Sequence, residues 1–211
     1  MSDQWAPRAP LTGIAAVVLI VLAAIIGGET PDFDASPAEI VDYYGGSTQV
    51  WVSFLATLGA VLFVFFAATL RSALRGAEAL STLVLVGGAI FALGLAIFSG
   101  LTFALSDLAD SDNRIDPGAL QALNSLNSDL FFPVFLGVCV LYFSTALAIL
   151  STGALPRWWG WVTLVLAIIS LLGPGGFIAF LALAPWTLVT SILLMRSSSG
   201  VAQPGPQQPV G

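Results

Sequence analysis

Asp107, Asp110, Asp112, Asn113 and Asp116 form the densest group of residues able to do chemistry. Oxygen-rich runs of this kind hold hard cations such as calcium. The EF-hand spacing fails here, because the fifth position counted from Asp110 is Arg114 and the sixth is Ile115, where that loop needs an oxygen ligand and then a glycine. A solvated acidic face is the expectation, with no metal assigned. The second group is Pro185, Trp186, Thr187, Thr190 and Ser191, set within an apolar run. Proline removes a backbone donor and opens the turn before it, exposing a carbonyl. Thr187, Thr190 and Ser191 share one face at helical spacing. They can form the polar wall of a small cavity, or serve as interhelical glue to Ser53, Thr57, Ser144 or Thr145. Asp129 with Asn124 or Asn127 is the only polar cluster near a span end that could host an intramembrane enzyme. Cys139, between Val138 and Val140, is the single cysteine, reads as a buried small side chain and permits no disulfide within one chain.

Absent residue types exclude more than present ones suggest. The chain has no histidine and no lysine, so all six basic residues are arginine. His-ligated haem, His-containing zinc sites and serine–histidine pairs are ruled out. So is Schiff-base chemistry on lysine. The net charge of −6 argues against a nucleic-acid partner. No cofactor is expected and no catalytic constellation emerges.

These groups sit in a chain built for lipid. Of 211 residues, 57% are hydrophobic and only 9% charged, and the mean hydropathy is +0.96. Soluble domains carry about 25% charged residues, too many to reconcile with this composition. A helix needs roughly 20 apolar residues to cross a hydrocarbon core of about 30 Å. Six segments meet or approach that length, at 11–28, 50–70, 80–105, 130–150, 158–172 and 177–195. None has an ionised residue in its interior, which disfavours ion-coupled transport. The expectation is an all-α transmembrane bundle over 1–196, with a disordered cytoplasmic tail at 197–211. No small-x-small cleavage pattern precedes Glu29, so the first segment reads as an uncleaved span.

Charge then orients the bundle. Arg8, Arg71, Arg75, Arg157 and Arg196 fall on one side if every segment crosses. Glu29, Asp32, Asp34, Glu39 and Asp42 fall in one loop on the other side, and the Asp107–Asp129 acids in a second. The positive-inside rule therefore places both termini in the cytoplasm. Each acidic loop carries a helix signal. Ser36-Pro37-Ala38-Glu39 is a capping box, with a stop at Gly45-Gly46. Asp116-Pro117 caps an amphipathic helix in which Leu120, Leu123, Leu126 and Leu130 face inward while Gln121, Asn124 and Ser128 face away. Trp158, Trp159 and Trp161 read as an inner aromatic belt, and Trp51 with Tyr43 and Tyr44 as the outer one.

In the third span, Gly88, Ala92, Ala96, Gly100 and Ala104 recur every four positions. Such ladders bring helix backbones close, either within one bundle or between two copies. A weak internal repeat also aligns 58–94 with 136–172 at an offset of 78 residues.

Three stretches carry a family likeness: 36–44 (SPAEIVDYY), 122–127 (ALNSLN) and 155–161 (LPRWWGW). In that order they resemble a group of uncharacterised bacterial six-helix integral membrane proteins sharing a domain of unknown function. The resemblance implies six spans in a bacterial cytoplasmic membrane and carries no known site residues. The functional expectation is a non-enzymatic multi-pass protein acting through membrane lipid, a protein companion or a second copy of itself. The alternative is a permease or channel for a small neutral or weakly cationic solute, drawn to an acidic vestibule and passing the Pro185 region.

Overall fold

In the computed structural model, residues 8–32, 34–110, 116–172 and 175–199 are described. All regular elements among them are helical. Six are the apolar helices α1 (Leu11–Gly27), α3 (Thr48–Ala73), α4 (Glu78–Ala109), α6 (Phe131–Thr152), α7 (Arg157–Ser170) and α8 (Gly175–Ser199). Two are short and polar, α2 (Pro37–Tyr44) and α5 (Pro117–Asp129). The helices α3, α4 and α8 and the stretch Pro117–Thr152 are long and apolar enough to cross a bilayer. With 17 and 14 residues, α1 and α7 are shorter, about 26 and 21 Å at 1.5 Å per residue. Asp112, Asn113 and Arg114 and the expected tail from 200 onward lie outside the described residues, while 197–199, expected in the tail, continue α8.

Packing closes the apolar helices into a ring in the order α1, α3, α4, α6, α7, α8 and back to α1, with α8 also touching α6 and α3. The most extensive contact is α4 on α6. Its cause is absent side chains: a Cβ on Gly137 would collide with the Phe91 backbone, one on Gly87 would lie 2.5 Å from the Leu141 amide, and one on Gly94 2.8 Å from that of Val134. Close backbones in lipid gain dispersion that larger residues would forfeit. An aromatic column fills the middle, with Phe63 and Phe91 centroids 4.5 Å apart and Tyr142 edge-on to Trp186 at 5.1 Å.

The expected small-residue ladder divides between two environments. Gly88 and Ala92 are buried, Gly88 against Ala67 of α3, and Ala96 is half-buried. Gly100 and Ala104 are exposed, and Gly100 has open space where a side chain would be.

The two short helices cap the ring at the α4 C-terminus, where Ile40, Tyr44, Leu105 and Leu120 make a small second core. The capping box forms as read: Ser36 Oγ accepts from the Glu39 amide at 3.4 Å, and the Glu39 carboxylate accepts from the Ser36 amide at 2.8 Å. The Ser36 hydroxyl also donates to Glu39 Oε2 at 2.8 Å, and this bond, with the one from the Ser36 amide, holds the Glu39 carboxyl below its usual range. Asp116 Oδ1 likewise accepts from the Gly118 amide at 3.0 Å. The facing of α5 is a correction to the sequence reading. Asn124 and Asn127 are buried and Leu126 is half exposed, because Asn124 Oδ1 accepts from Tyr44 Oη at 3.3 Å and Asn127 Nδ2 donates to Tyr44 Oη at 3.2 Å. Asn124 Nδ2 also donates to the Asp32 carbonyl at 3.0 Å. Pairing the Asn124 amide and the Asn127 Nδ2 under the cap outweighs burying one leucine, since an unpaired buried amide costs more than an exposed side chain; the Asn127 Oδ1 alone stays without a partner.

Candidate functional site

Pro185 lies inside the continuous helix α8, and the residues after it go to different places. Pro185 itself is exposed, whereas Trp186, Thr187, Thr190 and Ser191 are buried at 1% exposure or less. Trp186 Nε1 donates to Thr163 Oγ1 of α7 at 2.9 Å, and Trp159 Nε1 of α7 donates to Thr190 Oγ1 at 3.0 Å. The two bonds run in opposite directions and latch α7 to α8. Thr163 Oγ1 in turn donates to the Trp159 carbonyl at 2.8 Å, so its oxygen is engaged twice. Trp159 is therefore not a belt residue; it is buried, while Trp158 and Trp161 beside it are exposed. Tyr44 also leaves the outer belt for the cap core.

The anticipated partners of the α8 hydroxyls do not come together with them. Ser53 and Ser144 donate within their own helices, and Thr57 is exposed. Thr145 Oγ1, Thr187 Oγ1 and Ser191 Oγ are buried without a hydrogen-bond partner. Ser191 presses on the position a Gly13 Cβ would occupy, so the first and last helices meet there with no room for a larger residue.

Thr187 has a different setting. It is the one polar lining residue of a cavity of about 340 Å³ between α1 and α8, with Phe63 and Phe91 behind it. Val21 and Ile25 on one side and Leu181 on the other carry the lining out to the surface, where Ile25 is 71% and Leu181 57% exposed. The volume falls in the range of about 300–1,000 Å³ typical of small-molecule sites. Pro185 has no N–H to give, so the Leu181 carbonyl one turn earlier lacks its helical partner. A hydroxyl and a freed carbonyl thus border an otherwise apolar groove. Such a site can bind an apolar chain and fix it through one hydrogen bond, and no titratable group lines it.

The remaining sequence candidates stay apart from this groove. Asp129 is exposed at the end of α5 while Asn124 and Asn127 turn under the cap. Asp110 Oδ1 accepts from the Gly46 amide at 2.8 Å, tying the two acidic loops together. Among the described residues no three acidic or cysteine side chains converge as metal ligands. Cys139 is half-buried.

The helices define the class, a membrane-embedded helical bundle in which, among the described residues, four helices are long and apolar enough to span. No family model, curated protein or solved structure matches the chain.

Proposed function

We propose that the protein is a non-enzymatic, lipid-binding bundle of six spans in a bacterial cytoplasmic membrane, with both termini in the cytoplasm. The observation that carries the lipid-binding reading is the groove between α1 and α8, apolar except for Thr187. Its exposed rim would face hydrocarbon, so its natural occupant is a lipid chain that laterally enters from the bilayer. The Thr187 hydroxyl can donate to a carbonyl or hydroxyl on that chain, and the Leu181 carbonyl can accept from a hydroxyl. Orientation is supported by the arginines at the α3–α4 and α6–α7 turns, opposite the acidic cap. A protein companion or second copy would be an additional partner, and the exposed Gly100 and Ala104 offer a surface for it.

The test is gentle extraction followed by native mass spectrometry of the intact protein. A co-purifying lipid that is displaced in Ala184→Phe and weakened in Thr187→Val supports the reading. An empty protein, or one whose lipid is unaffected by both changes, overturns it.

A permease for a small neutral solute is the second reading, favoured by one observation. Thr145, Thr187 and Ser191 place three unpartnered hydroxyls inside the bundle, where a hydrated solute would find hydrogen bonds. Solute flux into liposomes that falls in Thr187→Val would support it.

A further inference from the structure

A second cavity of about 310 Å³ lies at the opposite end of α3 and α4 from the cap. Arg71 and Ser72 reach it from the last turns of α3, Arg75 from the connecting turn, and Glu78 and Ser81 from the start of α4. The turn beneath is rigid. Leu74 is fully buried in the core, its amide donates to the Leu70 carbonyl at 3.1 Å, and its carbonyl accepts from the Ala77 amide at 3.0 Å. The charged side chains above it are exposed, and no ion pair links either arginine to Glu78 among the described residues. Two cations and one anion therefore line one cavity without a direct ion pair among the described residues.

The position identifies the medium. α3 and α4 are both long and apolar enough to span, so with both helices across a bilayer their joint end would lie at the headgroup level. Guanidinium groups bind phosphate through paired, charge-assisted hydrogen bonds. A simple anionic headgroup would satisfy the arginines and be repelled by the carboxylate. A headgroup with phosphate and a primary ammonium satisfies all three. We propose that this cavity is a headgroup site for an ethanolamine phospholipid, with phosphate on Arg71 and Arg75 and ammonium on Glu78. Ser72 and Ser81 border the same space, Ser72 free to donate to a phosphate oxygen, while the Ser81 hydroxyl already donates to the Glu78 carbonyl at 2.9 Å. This site stands apart from the groove at Thr187, and neither depends on the other.

The experiment uses the full-length protein, delipidated in detergent, with bound lipid counted by native mass spectrometry. The probes are dioctanoyl phosphatidylethanolamine, phosphatidylglycerol and phosphatidylcholine, together with soluble phosphoethanolamine and inorganic phosphate. The ethanolamine lipid should bind about tenfold more tightly than either other lipid, the size of one charge-assisted hydrogen bond. Choline lipid is the sharpest control, because its quaternary nitrogen keeps the charge and loses the donors. In Glu78→Gln the ethanolamine lipid should fall to the choline level. In the Arg71→Gln/Arg75→Gln variant all three lipids should weaken at least tenfold. Thermal unfolding in the same detergent shows whether these variants are folded, and Glu78→Gln keeps the test decisive if the arginine variant is not. Equal binding of the three lipids, or an ethanolamine preference that survives Glu78→Gln, overturns the proposal. Soluble phosphoethanolamine or phosphate binding as tightly as the lipid overturns the lipid source.

Discussion

Trp159 and Trp186 each bury an indole and each spend its N–H on a threonine of the neighbouring helix. Interhelical hydrogen bonds in membranes average about 0.6 kcal/mol, and the better ones reach about 1.7 kcal/mol. Trp159→Phe removes one such bond and leaves a gap in the core, so a loss of about 1–2 kcal/mol is expected in reversible unfolding from mixed micelles. Thr190→Val keeps the shape but orphans the indole N–H, and should cost about as much. Outside the spans, Tyr43 is the residue with a measurable signature. Burial pushes its phenol up to about 12, and the charge of neighbouring Tyr44 adds to the shift. The unfolded phenol titrates near 10, so the folded cap is favoured while the phenol stays neutral. That contribution is complete below pH 10 and is lost as pH rises from 10 to about 12. Ultraviolet titration of phenolate should show late-ionising tyrosine together with loss of cap structure, and Tyr43→Phe should remove one part of that late component while leaving Tyr44, whose phenol burial also raises.

At the scale of helices, the α4–α6 seam is the most sensitive place to add a methyl group. Gly137→Ala forces its new atom into the Phe91 backbone, so α4 and α6 must separate; a loss of about 3 kcal/mol is expected, read as a lowered unfolding midpoint. Gly100→Leu meets open space, and the stability of the single bundle should change by under about 0.5 kcal/mol. A change in its sedimentation size would then report a contact between copies. This contrast shows what the sequence can and cannot reveal. The six apolar helices were legible almost to their ends, because length in apolar residues is what lipid demands. The capping box at Ser36 was equally legible, since its bonds are local. The seam was not, because a spacing of four in one helix cannot say which neighbour lies on which side. Gly87 and Gly94, seven apart and facing Gly137's helix, carry the close crossing. The inward turn of Asn124 and Asn127 was hidden for a related reason: their partner, Tyr44, lies some eighty residues away. Two asparagines three apart in a leucine-bearing helix were the available signal. The groove left a trace in Thr187 and Pro185, but its walls come from α1, α3 and α4, whose contribution only the ring reveals.

The whole molecule is a ring whose first helix packs against its last. Lipid retention in native mass spectrometry should therefore depend on both sides of the groove. A bulky Ala24→Phe on α1 and Ala184→Phe on α8 should each expel the same lipid, while neither touches the α7–α8 latch. The closure has a further consequence for how the protein is made. Synthesis delivers α1 first and α8 last. Until α8 arrives, α1 rests on α3 with its other flank open to lipid, and Gly13 has no Ser191 to meet. Neither wall of the groove can work before α8 enters. A chain released early, short of 175, would still contain most of the bundle and none of the completed site. Occupancy by a bound lipid would thus separate chains that carry α8 from chains that stop short of it.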